Sequence, residues 1–190
     1  MSTVAVQSVG GQTLDHVNKI LAGIPGGAYR AVYSAMRRAG DTAKTKAGQF
    51  AAAEYTIDKG TFMKNVTQKA TVTGGLGGVA EMKISFAGNV LPLLAFQTKF
   101  GRDGRLQTKV KRTGGGAALD HVFAARVYGP IAAVERLGSS RLPVEQKFGP
   151  STAHMMQSEE VVDQMDQTIK QTFEARIDHE ILRVLNGWGG

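Results

Sequence analysis

The chain has 190 residues, 23 Lys and Arg against 16 Asp and Glu, a formal net charge of +7, 24 glycines and no cysteine. The missing thiol excludes disulfides, thiolate metal sites and a cysteine nucleophile, and no run approaches the roughly 18 apolar residues of a membrane span. A chain of this length buries roughly 70% of its unfolded surface, which fits one domain over 1–190.

The start, "MSTVAVQSVGG", lacks the basic head and apolar centre of a signal peptide, so the expectation is a soluble protein made and used inside a cell. In "TLDHVNKILA" Leu14, Val17, Ile20 and Leu21 share one side of a short helix, which "GIPGG" stops. Residues 1–27 read as this helix plus a glycine-rich linker. From Ala28 to about Tyr55, Val32, Met36, Ala39, Ala43, Ala47 and Ala51 recur at helical steps, so this helix can pack very closely against a sheet or a second helix.

Beyond Asp58 and Gly60 the residues favour strands. "NVTQKATVT" and "VAEMKISFAG" predict two strands joined at the glycines of "GGLGG", and "NVLPLLAFQTKF" and "GRLQTKVKRT" predict two more around the turn "GRDG". The apolar run Val122 to Val127 predicts a further strand before the Gly129-Pro130 break. Residues 139–157 read as an extended arm, because Pro143 pushes Leu142 toward extended backbone and Gly149-Pro150 turns the chain. The last element spans 158–186: Ser158 is a favoured N-cap, Glu159 and Glu160 suit the positive helix end, and Val162, Met165, Ile169, Phe173, Ile177, Ile181 and Val184 form the stripe. The expected fold is therefore α+β, with a mainly antiparallel sheet of about four to five strands packed with the Ala-rich helix and the terminal amphipathic helix.

Catalytic motifs fail on geometry. The pairs Asp15-His16, Asp120-His121 and Asp178-His179 are sequence neighbours, which diverge by about 100° on a helix or face opposite sides of a strand. A hydrolase built on His121 with Asp120 or Glu135 would need more than this adjacency. "GLGGVA" from Gly75 to Ala80 fits a dinucleotide fingerprint in letters, yet the residues after it alternate as a strand, so a hairpin turn is expected. His16, His121, His154 and His179 share no spacing that directs two imidazoles to one ion. No cofactor and no metal is expected.

Charge is uneven along the chain. Residues 30–69 hold eight cations against three acids, 99–147 hold ten against four, and 148–190 hold three against seven. Lys99, Arg102, Arg105, Lys109, Lys111 and Arg112 concentrate on the predicted basic hairpin, where alternate members would share a face able to hold a phosphate backbone without reading sequence.

"LPLLAF" at Leu91 to Phe96, the basic "LQTKVKR" after it, and "RLPVEQKFGPS" at Arg141 to Ser151 ahead of the acidic-started terminal helix resemble the bacteriophage minor tail protein Z family, over most of the chain from about residue 30 to about residue 185. The resemblance implies a non-enzymatic virion protein that completes the head-proximal end of the tail, in the neck. It implies assembly in the host cytoplasm into a ring of six copies, partnered by other tail and neck proteins, with DNA in the channel and no membrane. Arg141, Leu142, Pro143, Val144, Phe148, Gly149, Pro150, Met155 and Met156 would then form a clasp onto a neighbouring copy, with packing over the core of its own chain as the other reading of the segment. The alternative is a non-sequence-specific DNA-binding accessory protein that uses the same basic strands.

Overall fold

A computed structural model describes residues 2–9, 11–74, 80–101, 105–126 and 129–187, with the backbone alone described for 2–9, 11, 12 and 74. In chain order the elements are β1 (Ser2–Val9), α1 (Gly11–Ile20), α2 (Gly27–Glu54), α3 (Lys59–Asn65), β2 (Thr67–Gly74), β3 (Ala80–Ala87) and β4 (Val90–Pro92). A 3-10 turn (Leu93–Ala95) leads to β5 (Gln97–Phe100), β6 (Leu106–Lys109), β7 (Ala117–Leu119), β8 (Val122–Ala125) and β9 (Ala132–Arg136). β10 (Val144–Gln146), β11 (Phe148–Ser151), α4 (Thr152–Met155) and α5 (Glu159–Leu185) complete the chain.

The fold is α+β, but the strands do not form one sheet of four or five. They make small sheets of two or three strands, in the orders β1-β3-β2, β10-β9-β8, β11-β4 and β5-β6-β7. Short strands account for this. Pro92 and the 3-10 turn split the expected third strand into β4 and β5, and the β4–β11 register slips between Phe148 and Ser151. The glycine turn expected at Gly75 to Val79 and the "GRDG" turn at 102–104 lie outside the described residues, as does Val127.

The chain clusters into two compact units. The first comprises 1–47, 67–86 and 159–190, and the second 48–66 and 87–158.

In the first unit β3 alternates inward and outward, burying Ala80, Met82, Ile84 and Phe86. Along α2, Ala31, Ala35, Ala39, Ala43 and Ala47 have no exposed surface, and a Cβ added at Gly40 would come 2.7 Å from Met82 Sδ. The small stripe thus lets the helix backbone approach β3 more closely than larger side chains allow. The segment expected as a glycine-rich start is instead β1, antiparallel to β3 with Ser8 opposite Glu81. α5 buries Val161, Met165, Ile169, Ile177, Ile181 and Val184. Its Glu180 is 2% exposed and accepts from Ser34 Oγ at 2.9 Å and Arg183 Nη1 at 3.0 Å, while Arg38 Nε lies 2.8 Å from its other oxygen. Ser158 does not cap α5. Its Oγ is buried without a partner, and its N–H closes the turn onto Met155 O at 3.4 Å.

In the second unit Leu93, Leu106, Val122 and Ala133 form one apolar cluster, with Leu94, Val110 and Leu119 packed against it. Strands of separate sheets therefore share a core. Asp58 caps α3 by accepting from Thr61 N at 2.9 Å, which places a short helix where the residue pattern marks only a transition.

Candidate functional site

The span expected as an arm is stitched into sheets. β10 pairs antiparallel with β9, setting Val144 opposite Arg136 and Glu145 opposite Glu135, and β11 sets Phe148 opposite Pro92. Backbone pairing fixes the segment to its own chain, so it is not a free extension. The side chains divide into two sets. Arg141, Leu142 and Pro143 are exposed at the β9–β10 tip, Leu142 at 58%, and Phe148 is 49% exposed, while Val144, Gly149 and Pro150 are half-buried. Met155 and Met156 are fully buried. These two methionines are corrected out of the clasp, because α4 turns their apolar side chains inward, where flexible thioethers fill irregular space.

The Phe-Gly-Pro corner has a local cause. A Cβ at Gly149 would lie 2.9 Å from Phe96 Cδ2 and 3.1 Å from Cζ, and Phe96 itself is 4% exposed. Glycine here admits an aromatic ring against the backbone, so "LPLLAF" and "FGPS" meet in space through β4–β11 and through this contact.

Of the six basic residues, the five that are described do not all converge. Register places Gln97 opposite Lys109 and Lys99 opposite Gln107, so Lys99 and Lys109 do share one face of the β5–β6 ladder. They border a shallow depression of about 370 Å³ with Gly116, Ala117 and Ala118. Arg102 lies outside the described residues. Lys111 and Arg112 are engaged elsewhere. Arg112 Nε donates to Ala52 O at 2.7 Å and its N–H to Glu54 O at 2.7 Å, Lys111 Nζ lies 3.2 Å from Glu54 Oε1, and Thr113 Oγ1 donates to that carboxylate at 3.0 Å. Together they satisfy acceptors at the C-terminus of α2, where a helix leaves carbonyls unpaired and favours cations. Periodicity within one strand carries no trace of a helix end reached from more than fifty residues away.

Arg105 forms an ion pair with Asp120, Nε to Oδ1 2.9 Å. Asp120 is thus engaged by Arg105, and no hydrogen bond joins His121 to a carboxylate among the described residues. His121 occupies the β7–β8 turn with φ of +64°, in the left-handed region. The base-to-acid hydrogen bond by which a triad orients its histidine is therefore not formed at His121. The hairpin beyond it carries a separate charge arrangement. Lys147 Nζ lies 2.6 Å from Glu135 Oε2 and 2.9 Å from Glu145 Oε2, and these bonds hold its ammonium above the ordinary 10.5.

Among the described residues no group of three or more His, Asp or Glu could hold a metal ion, and no helix is long and apolar enough to cross a membrane. No family model, curated protein or solved structure matches the chain.

Proposed function

We propose that this chain is a non-enzymatic structural protein of a bacteriophage tail, of the minor tail protein Z type. Copies assemble in the host cytoplasm into a closed ring, of six in the family pattern, at the head-proximal end of the tail, against other tail and neck proteins and around the DNA channel. The observation that carries this reading is the apolar surface kept outside by the motif-bearing segment. Phe148 is 49% exposed opposite Pro92, Val90 is 54% exposed on the same two-stranded sheet, and Leu142 and Leu137 stand 58% and 64% exposed at the β9–β10 tip. Single exposed apolar residues are ordinary, whereas these stand in two pairs, one on the β4–β11 sheet and one at the β9–β10 tip, and paired apolar exposure of this kind suits a contact surface. Each is already about half covered within its own chain, so burying the remainder against a second copy stabilises assembly by about 1 kcal/mol each. Heterologous contacts of this kind close into rings when the rotation between copies closes.

The test is the mass of the purified full-length chain in solution, alone and mixed with tail tubes. A discrete ring or stoichiometric incorporation is expected, and Leu142→Asp with Phe148→Asp should abolish it while leaving the circular dichroism of the monomer intact. A chain that stays monomeric at every concentration and never joins tails overturns the reading. The second reading, a DNA-binding accessory protein, rests on Lys99 and Lys109 sharing one sheet face. It requires a monomer whose DNA affinity falls steeply between about 50 and 200 mM salt.

A further inference from the structure

A second concavity lies in the second unit, between the β7–β8 turn and the end of β9. It is an open groove of about 660 Å³ whose lining includes Arg105, Asp120, His121, Phe123, Arg136 and Ser139. We propose that this groove binds a phosphate ester, gripped by the guanidinium groups of Arg105 and Arg136, with His121 and Ser139 at its rim. The inference goes beyond the assembly reading and does not depend on it, since every one of these residues belongs to one unit of one chain.

Arg136 is held ready for an anion. Its Cζ stands 5.1 Å from the centroid of the Phe123 ring. The register explains why: Phe123 faces Val134, and Arg136, two residues further along β9, is the diagonal neighbour on that face. A guanidinium held over a ring keeps N–H donors for a ligand, a use that lysine cannot copy. Arg105 is oriented by Asp120 at 2.9 Å. That carboxylate repels an incoming anion, but it is engaged by Arg105, and the two arginines outnumber it in the lining.

His121 is the second indication. Its φ of +64° is a conformation that glycine adopts at no cost and that few other residues visit, histidine more often than most. An exposed imidazole there, without a hydrogen-bond partner among the described residues, adds nothing to the turn and places a donor on the groove rim. Phosphate suits this set better than carboxylate, because its non-bridging oxygens, two in a diester and three in a monoester, are set tetrahedrally and can accept from guanidinium groups on two sides, whereas a carboxylate presents its two oxygens in one plane. The groove is also larger than a bare phosphate, which points to an ester with a body beyond the anion. The grip is on the phosphate group itself, a contact that carries no sequence information.

The experiment titrates the full-length chain into a short labelled single-stranded oligonucleotide of mixed sequence, monitored by fluorescence polarisation. Inorganic phosphate and a nucleoside monophosphate serve as competitors, and phosphorus NMR line-broadening reports their own binding. Arg136→Ala and Arg105→Ala should each weaken binding about tenfold or more, as loss of one charge-assisted contact implies. Arg136→Lys should lose nearly as much, although charge is kept. His121→Gly should raise the melting temperature, because the turn relaxes, yet weaken binding. Two phosphate contacts on a single strand give a log–log salt slope of about −1.4. Competition by the monophosphate identifies a small-molecule source and its absence a polymer, and either outcome upholds the groove. Equal losses in Arg136→Lys and Lys99→Ala/Lys109→Ala, or unaltered binding in Arg136→Ala, overturn the proposal. The lysine variant keeps it testable should the alanine variant misfold.

Discussion

Gly149 of β11 lies against the ring of Phe96, so close that the smallest side chain would overlap it. Gly149→Ala must displace either a buried ring or a paired strand, and overpacking of this kind costs about 1–3 kcal/mol. At Gly115 a methyl group would meet nothing within 4 Å, so this position should accept alanine within about 0.5 kcal/mol. Urea denaturation of both variants checks the contrast, and equal midpoints would show that the ring contact is unimportant.

Glu135 and Glu145 sit directly opposite one another in the β9–β10 ladder, an arrangement that repels. Lys147 bridges both carboxylates, and its folded pKa is raised by their hydrogen bonds. A raised value means the contribution is complete below the ordinary lysine pKa and is lost as pH climbs through the folded one. Lys147→Met should therefore lower the melting temperature at neutral pH. The deficit should shrink below about pH 4, where glutamates take up protons, and thermal scans across pH test this.

Burial pushes the Glu180 carboxyl upward, but the Ser34 hydroxyl and the charges of Arg38 and Arg183 outweigh it and hold the group below its ordinary 4.5. A lowered value means stability that is present above the unfolded pKa and lost as pH falls through the folded one. Glu180→Gln should cost about 1–3 kcal/mol at neutral pH and flatten the acid limb of the stability curve. Denaturant titrations at neutral pH and below the carboxylate range would read both effects, and an unchanged acid limb would show that Glu180 has no part in acid sensitivity.

Lys111 and Arg112 belong to the end of α2, whereas Lys99 and Lys109 belong to an open sheet face. Arg112→Met should thus lower stability by about 0.5–1.5 kcal/mol through the lost side-chain bond to Ala52 O. Lys99→Ala with Lys109→Ala should leave stability within about 0.5 kcal/mol. If chemical denaturation showed the two variants behaving alike, the division of roles within this basic run would be wrong.

Much of the local structure is readable from residues in order. The Ala stripe of α2 and the alternation of β3 each repeat at the period of their own element, so their inward faces are visible without a partner. In α5 the expected stripe holds at Met165, Ile169, Ile177, Ile181 and Val184, but Val161 is buried in place of Val162 and Phe173 is only half-buried. Pairing is not readable in this way, because a strand's neighbour depends on residues far away in the chain. The alternation in "STVAVQSV" becomes β1 only through β3, and one expected sheet becomes several because Pro92 and the register slip at β11 cut the strands short.

The candidate residues divide along the same line. Composition and spacing determined that the chain lacks thiol chemistry, that its charge is divided into basic and acidic stretches, and that an apolar, proline-marked segment precedes the terminal helix. Only the tertiary structure decided that Met155 and Met156 turn inward while Leu142 and Phe148 stay outside, and that Arg112 serves a helix end. The reason is physical. Apolarity and charge are properties of a residue, whereas exposure and partnership are properties of what the rest of the chain brings to it.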